Sequence, residues 1–474
     1  MTLSTGVLKS FPPYDLPLVH QAWKDTLEGF PCKVVVLDDD PTGVQTVHGI
    51  YVYTQWTEEA LDEAFRMPQS MFFILTNSRG LDSAQTEALH QQIARNLLAV
   101  SKKTKQDFLI ISRSDSTLRG HYPLETESLR KTLESEGQMR IDGEILMPFF
   151  QQGGRFTIND THYVASGDQL IPCGETEFAR DQTFGYSSSS LPEWIEEKTK
   201  GKYSADAVKS ITLNELRTHD FCSIGEKLKS IRNFNKVVVN AIDDADAETF
   251  VTALIPQLIQ GKRFLFRSAA ALARALGGVE PRDLLSHKEL TDDSNRNGGL
   301  IVVGSHVQKT SLQLEALRQD DSLFFLELDQ HCAMDADAFE EECGRVQALM
   351  NKAVAGGQTT VLYTKRQRFD LSTGNREDEL RLAAKISAAI TGLVSALSRQ
   401  PAFIIAKGGI TSSDIGTKAL LVKRALVLGQ ILPGVPVWLL GPESRFPGLK
   451  YVIFPGNVGD DQALFDAVKK MKGE

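Results

Sequence analysis

Six consecutive residues, Asp38-Asp39-Asp40-Pro41-Thr42-Gly43, set three carboxylates beside a proline, a hydroxyl and a glycine. Adjacent carboxylates repel one another, so such a run points to a ligand or to cations that relieve the repulsion. It follows directly on Lys33-Val-Val-Val-Leu37, an apolar β-branched run of the kind that forms a buried parallel strand. In an open α/β sheet the carboxyl ends of strands open onto the ligand crevice, where acids can meet a substrate hydroxyl or a metal. Arg79, Arg113 and Arg119 lie in two further polar runs, Thr76-Asn77-Ser78-Arg79-Gly80 and Ser112 to Gly120. A guanidinium grips a planar carboxylate through two parallel bonds. The set therefore suits a small acid whose hydroxyls are read by Asp39, Asp40, Asp115 and Ser112, with Arg–Asp pairing inside the protein as the competing reading.

Three stretches in the second half have the makings of phosphate loops. Gly304-Ser305-His306 follows a strand and leads through Thr310 or Ser311 into a helix whose free N–H groups favour an anion. Lys407-Gly408-Gly409-Ile410-Thr411 combines two glycines, which let the backbone approach a phosphate, with a cation and a hydroxyl. Phe454-Pro455-Gly456-Asn457-Val458-Gly459 is a third glycine loop at a strand end. Neither G-x-x-x-x-G-K-[ST] nor G-x-G-x-x-G occurs, so the nucleotide site these loops imply is a non-standard one. His48, His121 and His162 read as hydrogen-bonded loop histidines. No histidine pair has metal-ligand spacing, and the metal ligands stay unknown.

These loops need elements to hold them, and one unit recurs: an apolar strand, a polar cluster at its end, then a helix-period segment. Met71 to Leu75, Phe108 to Ile111 and Glu144 to Met147 repeat the pattern, and Asp82-x-x-Gln85 predicts a capping box for a helix through about Lys102. Such repeats predict a parallel, doubly wound sheet. From 151 to about 232 the pattern loosens into Gly, Ser, Thr and charged residues, which reads as an excursion that covers the site or as a surface loop region. Strands return at Lys236 to Asn240 and Phe264 to Phe266. A Gly-, Pro-, Asp- and Asn-rich stretch between about Leu276 and Gly298 marks a domain boundary. The rhythm then restarts, with strands at Leu300 to Val303, Leu323 to Leu328, Thr360 to Tyr363, Phe403 to Ala406, Val435 to Leu440 and Tyr451 to Phe454. Helices fall at Ser311 to Gln319 and Asp378 to Leu397. The expected architecture is two Rossmann-like α/β domains, 1–285 and 299–474, with the active site in the cleft between them.

The chain has 474 residues, 42% of them hydrophobic, which is ordinary for a globular protein of two or three domains. A net charge of −9 argues against a general nucleic-acid or anionic-membrane surface, so an anionic substrate needs a local basic site. Five scattered cysteines without a C-x-x-C pair fit a reducing cytosol. The first residues lack the pattern of a signal peptide, and the most apolar stretch, Ala425 to Leu440, is broken by Pro433, Gly434 and Pro436. A cytoplasmic protein is expected.

The ordered set of motifs resembles the four-carbon acid sugar kinases, which phosphorylate the terminal hydroxyl of threonate, erythronate or their oxo derivatives with ATP. Asp39-Asp40-Pro41-Thr42-Gly43 is similar to that family's Asp-Asp-x-Thr-Gly loop, and Ser112 to Gly120 to its loop containing Asp-Ser-Thr. Arg155 and Glu175 to Asp181 are similar to the segment after its fourth strand. The resemblance implies an N-terminal domain for the acid sugar and a C-terminal domain for ATP, with Mg²⁺ bridging the ATP phosphates. It implies Asp40 or Asp39 as the base, with Asp115 as the rival. Thr42, Arg79, Ser112, Arg113, Ser116, Arg119 and Arg155 would then lie on the substrate. Ser305, Lys407, Gly408, Gly409, Ile410, Thr411, Gly456 and Asn457 would lie on ATP. Ile410 stands where many members carry an acid, and Asp38 and the Ser-rich segment near Tyr186 are further departures, which suggest a subgroup with its own substrate preference. The expected partners are small molecules, without nucleic acid or membrane and with room for a homo-oligomer.

Two rival readings come from other classes. Asp38-x-Asp40-x-Thr42 also resembles the nucleophile motif of haloacid-dehalogenase-like phosphatases, and Gly459-Asp460-Asp461 their distal acids. A non-catalytic sugar-acid binder is the other.

Overall fold

The computed structural model describes residues 1–292, 294–304, 306–367, 376–456 and 458–474, with the side chains of 376–378 and 380 set aside. The chain divides into two compact units, Met1–Val47 with Gln55–Pro281, and His48–Thr54 with Arg282–Glu474. Both are α/β.

In the first unit the strands lie in the order Lys209–Ile211, Asn235–Val239, Gly143–Met147, Phe264–Ser268, Phe108–Arg113, Lys33–Asp38, Met71–Leu75, all parallel. All six residues of Lys33–Asp38 are buried, as a strand covered on both faces must be. Lys33 enters this run because its amine is satisfied by the carbonyls of Met67 and Gln69, at 2.9 and 2.6 Å. The predicted capping box is formed: Asp82 accepts from the Gln85 amide and Gln85 returns the bond, opening the helix Ser83–Thr104. From Lys33–Asp38 the chain first builds Met71–Leu75 on one side and then Phe108–Arg113 on the other. The order therefore reverses at the carboxyl ends of Lys33–Asp38 and Phe108–Arg113, the position where doubly wound sheets bind ligands.

The loosely patterned 151–232 stretch is folded. Arg155–Ile158, Thr161–Ser166 and Gln169–Pro172 are antiparallel strands, joined at the edge by Leu3–Ser4, and Leu191–Lys198, Leu213–Arg217 and Phe221–Ser230 are helices. These strands are short and contain polar residues and turns, so they lack the apolar run that marks the main sheet.

The second unit has the order Tyr51–Tyr53, Arg424–Leu432, Val435–Leu440, Lys450–Phe454, Ile404–Lys407, Leu300–Val303, Thr360–Thr364, Phe324–Leu328. The last five are parallel, and the order reverses between Leu300–Val303 and Ile404–Lys407. Arg424–Leu432 was not anticipated as a strand. It alternates half-buried and buried residues, carries a register shift at Gly429, and pairs antiparallel with Val435–Leu440 around a Pro433-Gly434 turn. The apolar stretch read from the sequence is therefore a hairpin. The helices expected at Ser311 to Gln319 and Asp378 to Leu397 run Gln308–Leu317 and Arg376–Ser395. Among the described residues, no helix is long and apolar enough to cross a membrane.

Candidate functional site

The reversal point of the first unit gathers the acids and arginines singled out in the sequence. Arg79, from the turn after Met71–Leu75, holds Asp39 bidentately at 2.6 and 3.1 Å and reaches Asp40 at 3.4 Å. Asp39 is buried, which raises its carboxyl above the usual range against the pull of Arg79. Burial pushes Asp40 upward too, but Arg79 and the Thr42 hydroxyl and amide outweigh it and hold the carboxyl below the usual range. Both Thr42 bonds go to one Asp40 oxygen, and among the described residues the other has only the long Arg79 contact, on a side chain that stays 22% exposed. Asp115 accepts from the Thr117 hydroxyl and from Arg119 Nε at 2.7 Å. Burial raises this carboxyl as well, but Arg79 and Arg119 overcome it and hold Asp115 well below the usual range.

Asp38 faces inward. It is 2% exposed, takes a 3.2 Å bond from the buried Arg113, and burial lifts its carboxyl to about 7. A Cβ on Gly43 would lie 1.7 Å from Asp38 Oδ2, so only glycine lets the turn close on this carboxylate. Gly43→Ala is expected to push Asp38 off Arg113 and lower stability by about 1–3 kcal/mol, read as an earlier thermal transition; an unchanged transition would show that the turn can move away. A nucleophile must reach its substrate, and the Asp38 of the phosphatase reading is sealed from solvent.

Arg119 also faces Asp181 at 3.7 Å and lies over the ring of Phe178, 5.1 Å from its centroid. Arg155, at the start of the antiparallel hairpin, lies over the same ring at 5.6 Å. It forms no ion pair among the described residues, and its buried Nε has no hydrogen-bond partner. Among the described residues, Arg79, Arg113, Arg119 and Arg267 each form an ion pair with an acid, and Arg155 feels Asp115 and Glu177 only from beyond bonding distance.

Behind these groups lies a buried network that the sequence did not disclose. Glu125 accepts from Ser78 at 2.7 Å, from Ser112 at 3.4 Å and from Arg267 Nη1, while Arg267 Nη2 donates to the Arg119 carbonyl at 3.2 Å. Ser112 therefore turns toward Glu125 and Arg267, and Ser116 is buried with its carbonyl on His162. The one signal available was Arg267 itself, a charge inside the apolar run Phe264-Leu-Phe-Arg-Ser. His121 is hydrogen-bonded to the Leu81 carbonyl, as a loop histidine was expected to be; His162 is hydrogen-bonded to the Ser116 carbonyl but lies in the strand Thr161–Ser166 and not in a loop.

The reversal point of the second unit brings together Gly304, the Lys407 to Thr411 stretch and Gly456; that stretch is not the loop expected, since Lys407 ends the strand Ile404–Lys407 and only Gly408 separates it from the helix Gly409–Asp414, and Ser305 and Asn457 lie outside the described residues. A Cβ on Gly304 would lie 3.0 Å from the Thr411 hydroxyl, and Gly408 takes φ +108, a conformation glycine favours. The helix Gln308–Leu317 has no side-chain cap on its first amides, and Lys309 on its first turn donates to the Gly459 carbonyl at 3.0 Å. Lys407 is fully buried, and its amine bonds the carbonyls of Pro455 and Gly456 at 2.6 and 3.1 Å. Burial, with Lys309 nearby, takes its pKa down to about 7. Its visible work is to tie the second glycine loop to the third. Ile410 is 79% exposed beside Gly409. Side chains lacking at Gly304 and Gly408 and uncapped amides on the adjacent helix suit phosphate oxygens. Among the described residues, no group of three or more His, Cys, Asp or Glu side chains is arranged to hold a metal ion.

Comparison with known proteins places a sugar-binding N-terminal domain at residues 34–276 and a nucleotide-binding C-terminal domain at 300–464. No curated protein matches the chain. Among solved structures it is similar to Haemophilus influenzae protein HI1011, with 17% identity and a TM-score of 0.62 over 92% of this chain and 100% of that one. A Salmonella typhimurium LT2 protein gives 16% identity and a TM-score of 0.63 over 92% and 98%. A Bordetella bronchiseptica domain, solved with bound citrate as a domain-swapped dimer, gives 20% identity and a TM-score of 0.39 over 93% and 98%. The first two likenesses show the fold. The two domain matches assign sugar binding to the first unit and nucleotide binding to the second.

Proposed function

This chain belongs to the four-carbon acid sugar kinase family, and on that premise we propose that it transfers the terminal phosphate of ATP to the 4-hydroxyl of a tetronate such as threonate, erythronate or 3-oxo-tetronate. The observation that carries the reading is the pairing, among the described residues, of a cation without an ion pair, Arg155, with an acid that keeps one oxygen open, Asp40. A sugar acid offers a carboxylate for the first and a hydroxyl for the second.

In this mechanism Arg155 takes the substrate carboxylate in a forked contact, with Phe178 holding its guanidinium plane. Arg79 fixes Asp39 and Asp40, and Asp40 orients the acceptor hydroxyl through its open oxygen. ATP supplies the phosphoryl group, and Mg²⁺ bound with it would neutralise charge on its phosphates. The Gly304 and Gly408 loops and the first amides of Gln308–Leu317 receive its phosphate oxygens, and Lys407 holds the Gly456 loop in register with them. The bond from the acceptor oxygen to phosphorus forms as the anhydride bond breaks, and the hydroxyl proton passes to Asp40. In a loose transition state that transfer comes late, so a carboxylate of low pKa serves.

ADP release with Mg-ATP against D- and L-threonate, D- and L-erythronate and the 3-oxo-tetronates tests the proposal. Turnover is expected on at least one member, and the absence of ADP from all of them overturns the tetronate assignment. On the active acid, Arg155→Ala is expected to raise KM for the acid about 10- to 100-fold and leave KM for ATP unchanged. Arg155→Lys recovers part of this because it keeps the charge and loses the fork. An unchanged acid KM returns Arg155 to a structural role.

A further inference from the structure

The turn that carries Asp115 is held from behind by side chains of the inserted antiparallel sheet and its following segment. Asp115 is bonded within its own turn by Thr117 and Arg119, but the carbonyls of Ser116 and Thr117 are directed away from the site into the protein interior. Buried carbonyls need donors, and both donors here come from the inserted region. His162 Nε2 lies 2.8 Å from the Ser116 oxygen, and the Tyr186 hydroxyl donates to the Thr117 oxygen at 2.7 Å.

Each donor is itself fixed. Thr157 and His162 are directly opposed in the hairpin, and the Thr157 hydroxyl lies 3.0 Å from His162 Nδ1. With Nδ1 accepting from Thr157, Nε2 carries the proton that Ser116 receives, so the neutral ring has its tautomer set by its neighbours. Burial takes the His162 pKa down to about 4, which keeps the ring neutral near pH 7. The hairpin is in turn pinned to the main sheet by reciprocal amide bonds between Thr157 and Ala241, at 2.9 and 3.1 Å. The buried Cys173 Sγ lies 2.6 Å from the Tyr186 hydroxyl and 3.8 Å from the Thr117 carbonyl, so the thiol flanks the bond that Tyr186 donates. Leu118, the next residue of the turn, takes φ +68 and packs in one apolar cluster with Cys173, Tyr186 and Trp194. A leucine holds that conformation only where its surroundings impose it.

We propose that His162 and Tyr186 are positioning residues that lock the Asp115–Arg119 turn, and with it the charges that flank Arg79 and Arg155 in the site. The role in catalysis rests on the kinase reading above, whereas the clamp on the turn stands by itself. The inserted region thereby supplies both Arg155 and the support for the acid and arginine opposite it, which explains why a doubly wound domain carries so long an excursion between two of its strands.

The test uses the full-length protein with Tyr186→Phe, His162→Leu and His162→Gln. Phe and Leu remove a donor, while the Gln amide can return one to Ser116. Amide hydrogen exchange across residues 116–119 is expected to quicken about 3- to 10-fold in Tyr186→Phe and His162→Leu, with exchange in the Lys33–Asp38 and Leu300–Val303 strands unchanged, and to return toward wild type in His162→Gln. On the active tetronate, kcat is expected to fall about 10-fold in the first two variants, with KM for ATP unchanged. Wild-type exchange in both the Phe and Leu variants overturns the clamp, and so does a quickening spread evenly over the main sheet. Should Tyr186→Phe fail to fold, the Leu and Gln pair decides. If wild-type protein turns over no acid in the panel, the tetronate reading fails while the exchange result still judges the clamp.

Discussion

Asp40→Asn is expected to cut turnover on the active tetronate by about a hundredfold or more while leaving ATP binding intact. Two features single out Asp40 among the acids of its cluster. Asp39 is spent on a bidentate Arg79 contact and is buried, and Asp115 is tied to Thr117 and Arg119. An open oxygen sets Asp40 apart from Asp39, and exposure sets it apart from Asp115, whose Oδ1 is also without a close partner among the described residues but whose side chain is 13% exposed against 22%. Asn preserves the shape and can accept from Thr42 through its carbonyl, so the fold should survive. It cannot take a proton, and a positioned general base contributes about 10²- to 10⁴-fold. Steady-state kinetics with nucleotide titration check this. A mutant at wild-type rate moves the role to Asp115, whose own Asn variant would then show the loss.

Arg267→Met is expected to be the most destabilising single change at the first site. Glu125 is 2% exposed and depends on Arg267 for its charge partner, with two serines completing its bonds. Removing one member of a buried pair leaves an uncompensated charge and costs about 3–5 kcal/mol. The pH dependence follows from the direction of the shift. Burial opposes ionisation of Glu125, but Arg267 overcomes it and lowers the carboxyl from 4.5 to about 2. The wild-type pair thus contributes stability above pH 4.5 that is lost as pH falls toward 2. Without Arg267, Glu125 is protonated at higher pH and the charge penalty disappears, so the gap between variant and wild type should narrow from pH 7 to pH 4. Denaturant midpoints across that range measure it; a gap that is constant with pH would assign the loss to packing alone.

The strand ends were legible because burial on both faces demands an unbroken apolar run, and the polar residues that interrupt it must then lie at an end. That rule located Asp38 to Thr42, Arg79 and the Arg113 to Arg119 turn. The Asp82 capping box was legible because its chemistry is complete within four residues. The hairpin of Arg424–Leu432 and Val435–Leu440 was missed in half because Gly429 shifts its register and its half-buried pattern is weaker than that of a central strand. The inserted sheet was missed as a sheet because strands of four to six residues with one polar face carry little periodicity.

Composition, strand rhythm and local motifs determined by themselves that this chain folds as two α/β units, with acids and arginines at the strand ends of the first and glycine loops at those of the second. These features depend on neighbours a few residues apart, where chain geometry leaves few choices. Which charge meets which was decided by tertiary structure alone. Arg113 reaches Asp38 from 75 residues away and Arg267 reaches Glu125 from 142, so that Arg155 is without an ion pair among the described residues shows only once those pairs have formed. Lys407 reads in sequence as a phosphate ligand, yet the fold turns its amine to the Pro455 and Gly456 carbonyls 48 and 49 residues on. A charged side chain is satisfied by whatever the completed sheet brings within bonding distance, and sequence spacing does not encode that distance.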